Sequence, residues 1–126
     1  MVQGPADALS LAREPLFQRG VALYRSGAFF ECHEVLEDLW RPIRGPHRLF
    51  LQSVIHFAVA FYHLERGNRL GAGRQLRKGL RKLEHYLPLY EGVDTATFYG
   101  DGQVCLERIL RGEAPEPPRL LVSFPS

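Results

Sequence analysis

Between Pro46 and the Gly67-Asn68 pair the chain carries a run, Leu49 to Leu64, that is apolar nearly all the way round a helical wheel. A helix of that kind cannot lie on a surface. It has to be wrapped on most sides by other elements, so it dictates a bundle with this segment at its centre. Gln52, Ser53, His56 and His63 interrupt the run, which is therefore too short and too polar to span a bilayer. The spacing predicts a helix over about 47–66, closed by the turn chemistry of Gly67-Asn68.

The flanking segments supply the wrapping. A first helix is expected from Asp7 or Ser10 to about Ser26, with Pro15 in its first turn or dividing it, and Leu16, Gly20, Leu23 and Tyr24 on one face. Gly27 ends it, because glycine takes the left-handed conformation of a C-cap. The stretch Phe29 to Arg41 reads as a second helix that stops at Pro42. Ala28, Cys32, Val35, Leu36 and Leu39 form its apolar arc, with Phe29 and Trp40 at the edge. A fourth helix over about 69–86 presents Ala72, Leu76, Leu80, Leu83 and Leu87 as a stripe, and Pro88 stops it. Asp101 is placed to cap a short fifth helix through Leu110, closed by Gly112. Residues 113–118 read as an extended linker, and Leu120 to Phe124 as a tail that docks back on the bundle or on a neighbouring subunit.

The expectation is an all-α protein: one domain, 1–126, in a compact bundle of about four to five antiparallel helices. A weak internal repeat sharpens it. Setting Gly27 on Gly67 pairs Gly20 with Ala60, Cys32 with Ala72, Leu36 with Leu76 and Leu39 with Gly79 without a gap. That pattern of small and large residues about a turn glycine resembles a tetratricopeptide helical hairpin, although the offset is 40 residues rather than the usual length. Two such hairpins packed together account for the core.

Composition closes off several function classes. A net charge of +2 is too small to demand a polyanionic partner. Cys32 and Cys105 are far apart with no paired spacing, and the first residues lack a basic start followed by an apolar run; both point to a cytoplasmic protein with no membrane partner. Gly71, Gly73 and Gly79 follow no strand and lack a Lys-Ser/Thr ending, so they are no phosphate loop.

Chemistry concentrates in the second and third helices. His33 and Glu37 are four apart, a spacing that chelates a metal or forms an imidazole–carboxylate hydrogen bond. Gln52, His56 and His63 form one polar stripe on the third helix. If that stripe faces the second helix, His33, Glu37 and one or both of His56 and His63 converge. The candidate polar site is then His33, Glu34, Glu37, Trp40, Arg41, Gln52, His56 and His63, with Trp40 and Tyr62 as pocket lining and Arg41 or Arg66 balancing the carboxylate. His33, Glu37 and His63 are then the candidate ligands for a transition metal such as zinc, and Glu34 or Glu37 the candidate base. The simpler expectation is that no cofactor is bound and the same residues form a buried hydrogen-bond network.

The motifs Tyr24-Arg-Ser-Gly27-Ala-Phe-Phe-Glu31-Cys-His33-Glu34-Val-Leu-Glu37-Asp-Leu-Trp40-Arg41, then His63-Leu-Glu-Arg66-Gly67-Asn68, then Gly71-Ala72, occur in order. Over residues 14–87 they resemble domain-of-unknown-function family 309, a small all-helical, mainly prokaryotic family. The resemblance implies a bundle of antiparallel helices and no established reaction. His56 stands where that pattern has another residue type, and the C-terminal helix and tail, 101–126, fall outside it.

The first functional expectation is a non-enzymatic protein-interaction or self-association module. The alternative is a metal-binding protein or metal-dependent hydrolase centred on His33, Glu37 and His63. A second alternative is nucleic-acid binding through helix 69–86, where Arg69, Arg74, Arg77, Lys78, Arg81 and Lys82 against Glu84 give a local charge of +5. Glu31, Glu34, Glu37 and Asp38 of the second helix, a local −4, complement it within the fold or across a dimer.

Overall fold

The computed structural model describes residues 10–124. Five α-helices make up the described chain: α1 (Pro15–Arg25), α2 (Phe29–Trp40), α3 (Pro46–Glu65), α4 (Arg69–Leu83) and α5 (Thr95–Leu110). Short 3₁₀ turns at Leu11–Arg13 and Glu84–Tyr86 precede α1 and follow α4. None of the described helices is long and apolar enough to cross a membrane.

α3 is the centre. α2 and α4 pack along opposite sides of it, α1 packs on α2, and α5 packs on α4. The back of α3 is thereby sealed: Phe50, Leu51, Val54, Phe57, Ala58 and Ala60 are fully buried. Phe57 stacks on Phe98 of α5 with centroids 4.2 Å apart, and Phe50 meets Phe17 of α1 at 6.4 Å. Tyr24 of α1 then lies edge-on to Phe98, joining the two outer helices behind α3.

Each hairpin closes in the same way. Gly27 and Gly67 both take a positive φ, +82° and +76°. In each turn an amide reaches back five residues, Ala28 to the Leu23 carbonyl at 2.9 Å and Asn68 to the His63 carbonyl at 2.8 Å. The orphan carbonyls of α1 and α3 are satisfied by this closure. Close helix crossing uses the small residues: a Cβ on Gly20 would lie 2.4 Å from Leu36, and one on Gly79 would lie 2.7 Å from Phe57.

Several boundaries differ from the sequence expectation. α1 starts at Pro15, with the 3₁₀ turn before it, and buries Phe17, Gly20, Val21 and Tyr24 while Leu16 is exposed. Leu87 lies beyond α4 and is also exposed. α5 begins six residues before the expected cap. Asp94 caps it, accepting from the Thr97 amide at 3.0 Å and the Thr97 hydroxyl at 2.7 Å. Asp101 instead grips Arg119 of the tail through Nε at 2.9 Å and the backbone amide at 3.0 Å.

That tail docks on its own bundle. The Tyr24 hydroxyl donates to the Pro118 carbonyl at 2.8 Å, Arg25 Nε donates to the Leu120 carbonyl at 2.9 Å, and Leu120 is buried. Val122 forms a single β-bridge with Val93. Cys32 and Cys105 are buried free thiols, and burial pushes them up to about 12 and about 11 respectively. Both are inert core residues.

Candidate functional site

The front of α3, opposite the sealed side, is different. Leu49, Gln52, His56, Val59 and His63 fall within an arc of about 80° at 100° per residue, and none of the five reaches full burial. They form the floor of a groove whose walls are α2 and α4.

On the α2 wall, Phe30 is 45% exposed and packs against Tyr62 of α3 at 5.3 Å and His33 at 5.7 Å. Phe29, Phe30, His33, Val59, Tyr62 and His63 enclose a small cavity of about 120 Å³, lined almost wholly by carbon. One turn along, His33 Nε2 stands 3.2 Å from Glu37 Oε1. Arg41 reaches the same carboxylate at 3.9 Å and pairs with Asp38 at 2.7 Å. Glu34 and Glu31 are exposed on the outer side of α2.

On the α4 wall, His56 is the organising group. Its Nδ1 lies 2.7 Å from Gln75 Oε1, and Lys82 Nζ lies 2.7 Å from its Nε2. The ammonium can only donate, so Nε2 accepts and Nδ1–H donates to the amide oxygen. That arrangement needs a neutral imidazole. Burial, followed by the neighbouring Lys82 and Lys78 charges, lowers the pKa of His56 and keeps it neutral, although the Gln75 bond opposes the shift. Lys82 is lowered too, by burial first and then by Lys78 and Arg81.

The expected single network is therefore three separate groups. His33 pairs with Glu37 on α2, at side-chain exposures of 25% and 35%, so the pair is partly solvated rather than buried. His56 turns away from them to α4. His63 shares the small cavity with His33, and its Nδ1 is 3.5 Å from the Asn68 amide nitrogen. Seven residues separate His63 from His56, about 10 Å along a helix axis, a span that no single carboxylate bridges. Among the described residues no three of His, Cys, Asp and Glu are grouped to hold a metal ion, so His33, Glu37 and His63 are not assembled as a ligand set. Arg66 lies over the Tyr62 ring at 5.4 Å and takes no part in balancing Glu37.

Trp40 lines no part of this cavity. Its ring lies under the Arg48 guanidinium at 3.8 Å, and its indole nitrogen is buried with no hydrogen-bond partner among the described residues. Arg48 also donates to the carbonyls of Trp40 at 3.1 Å and Ile43 at 2.9 Å, fixing the end of α2 against the start of α3.

The exposed cations of α4 are unneutralised. Arg74, Arg77, Lys78 and Arg81 recur at helical spacing on the solvent side, and none has a carboxylate within ion-pair distance among the described residues. The acidic α2 and basic α4 do not neutralise each other inside the fold, because α3 stands between them. Sequence reasoning missed Phe30, Leu49 and Val59 as parts of a surface, and Gln75 and Lys82 as partners of His56.

Residues 17–75 match the model of a family described as Domain of unknown function (DUF309). That segment belongs to the DUF309 family. It carries α1, α2, α3 and the first half of α4, and so contains the whole groove floor and the α2 wall. The basic part of α4 from Arg77 onward, α5 and the tail lie outside it. The chain is also similar to a curated protein of Bacillus subtilis (strain 168), "Uncharacterized protein YpuF", at 36% identity over 66 residues. The alignment takes in 51% of this chain and 37% of that protein, so this chain spans little more than a third of its relative.

Proposed function

We propose that this DUF309 protein is a non-enzymatic docking module whose α2–α3–α4 face receives another polypeptide. One observation carries the reading. The central helix, buried on every other side, leaves Leu49, Gln52, His56, Val59 and His63 incompletely covered between an aromatic wall and a cationic one. A mixed apolar and polar strip of this kind suits a helix or extended segment that inserts an apolar side chain beside Phe30 and Tyr62. The paired hairpins, tetratricopeptide-like in the small and large residues about each turn glycine, would hold the two walls apart. The acidic rim of α2 disfavours a phosphate backbone over the same face, which ranks nucleic acid below protein. The residues that chemistry would require are divided between two walls, which favours binding over catalysis.

The test is a photo-crosslinking residue placed in the living cell at Val59, with Val104, which is 54% exposed on α5, as the control position. Polypeptide adducts at position 59 and none at 104 support the reading. Nucleic-acid adducts, or equal labelling at both positions, overturn it.

A further inference from the structure

Resting on that docking reading, we infer that the occupant of the face is a second copy of this chain, paired about a two-fold axis running along α3. The first argument is spacing. Leu49, Gln52, His56, Val59 and His63 step by three, four, three and four residues, the repeat that lets two helices keep one seam facing a partner. The neighbouring stretches of α3 are already buried in the fold, so the seam is left over for something outside it. Gln52, His56 and His63 in that seam fix register rather than add strength.

The second argument is charge. A two-fold axis along α3 lays α2 of each copy over α4 of the other, and does so twice. Both walls run antiparallel to α3: Phe30 meets Tyr62 at one end of α2, and His56 meets Gln75 and Lys82 along α4. Glu34, Glu37 and Lys78 therefore all stand near the level of His56 and Val59. Glu37 keeps His33 and, at 3.9 Å, Arg41 as partners within its own helix, and Arg41 also holds Asp38. Glu34 is thus the α2 carboxylate left without an ion pair among the described residues to meet the unpaired Lys78 and Arg81 of the other copy. No such match exists within one chain, because α3 separates the two walls. An isologous pairing uses both charge sets at once and leaves neither unopposed.

Size sets the strength. Helices rising 1.5 Å per residue and spaced 8–10 Å apart give a face of about 20 Å by about 25 Å, on the order of 500 Å² per copy. That is near the lower end for a specific contact, so the pair dissociates in the micromolar range and weakens with salt.

Charge exchange tests it. One variant carries Glu34→Lys and Glu37→Lys, the other Lys78→Glu and Arg81→Glu; circular dichroism first checks that each is folded. At the exchanged positions the first carries cations on both walls and the second carboxylates on both, so like charges meet there in either homodimer. By sedimentation velocity each alone is expected to be monomeric at concentrations where the wild type pairs, while their equimolar mixture gives a dimer holding one of each, identified by native mass spectrometry. A wild type that stays monomeric at about 1 mM, far above micromolar dissociation, overturns self-pairing. So does a mixture that stays monomeric, or low-salt binding of an oligonucleotide that the α2 exchange strengthens and the α4 exchange abolishes. A foreign polypeptide crosslinked at position 59, with the chain itself monomeric, sinks the dimer while leaving the docking face standing.

Discussion

The two sides of α3 are built from the same sequence at the same helical pitch, yet they do different things. The back packs Phe50 against Phe17 of α1 and Phe57 against Phe98 of α5, both rings at zero exposure. The front keeps Gln52, His56, Val59 and His63 half-buried, and His56 there is held by hydrogen bonds to Gln75 and Lys82 of α4. The difference teaches where free energy is committed. Stability is concentrated behind the helix, where an aromatic stack and small-residue crossings leave no freedom, and the front is left less tightly packed.

The comparison breaks most severely on the back side. Phe57→Ala removes the ring that stacks on Phe98 and fills the space above Gly79 and Gly102. It should cost about 3–5 kcal/mol, read as a lower midpoint in urea. A loss below 1 kcal/mol, the scale of a surface change, would mean that the stack is not the keystone of the core.

Gly79→Ala comes next. Its Cβ would meet the Phe57 ring at 2.7 Å and the Ser53 carbonyl at 3.1 Å, and backbone cannot yield as a side chain can. Overpacking there should cost about 1–3 kcal/mol, against a gain from helix propensity of under about 1 kcal/mol. Net stabilisation would show that α3 and α4 are further apart than their glycine implies.

On the front, Val59→Ser should cost about 1 kcal/mol or less, because Val59 is only half-buried. The same substitution should still raise the dissociation constant of the pair about tenfold, by placing a hydroxyl in the seam. Equal loss of stability from Val59→Ser and Phe57→Ala would erase the distinction between the two sides.

The smallest effect is a pH slope. His56 has a folded pKa below its ordinary value, so it binds a proton less readily in the folded chain than in the unfolded one. Above the ordinary histidine range it contributes no penalty. As the pH falls below about 6.5, the unfolded chain takes up a proton that the folded chain resists, and stability declines until the lowered pKa is passed. Gln75 faces this imidazole as a hydrogen-bond partner and Lys82 and Lys78 as cations, and protonation breaks the Lys82 bond and sets like charges together. His56→Gln should make the melting temperature fall less between pH 8 and pH 5.5 than it does in the wild type. An unchanged slope would remove His56 from the account.

Much of this was legible in the residues. The centrality of α3 followed from its all-round apolarity, and the Gly27 and Gly67 turns followed from their place after periodic runs. The His33–Glu37 pair followed from its spacing on one helix. What the residues could not encode was the rotation of α3 about its axis. A helix apolar on most sides offers no single face to orient, so nothing local decides whether Gln52, His56 and His63 look toward α2, into the core or out of the bundle. Their direction is settled by which large rings fit behind, Phe57 under Gly79 and Gly102 above all. α5 was cut short because Asp101 offers the same capping chemistry as Asp94, six residues too late. Gly102, inside the expected helix, is small because Phe57 and Leu80 approach within about 3.0 Å of where its Cβ would be.

The measurement that tests the central claim most directly is sedimentation equilibrium on the wild type and a Val59→Glu variant, run side by side over the same concentrations. The account predicts that the wild-type mass climbs from one chain toward two as concentration rises. It predicts that Val59→Glu stays at one chain throughout, with the helical content and urea midpoint of a folded protein. A wild type and variant that associate identically, or that are both single chains at every concentration, would contradict it.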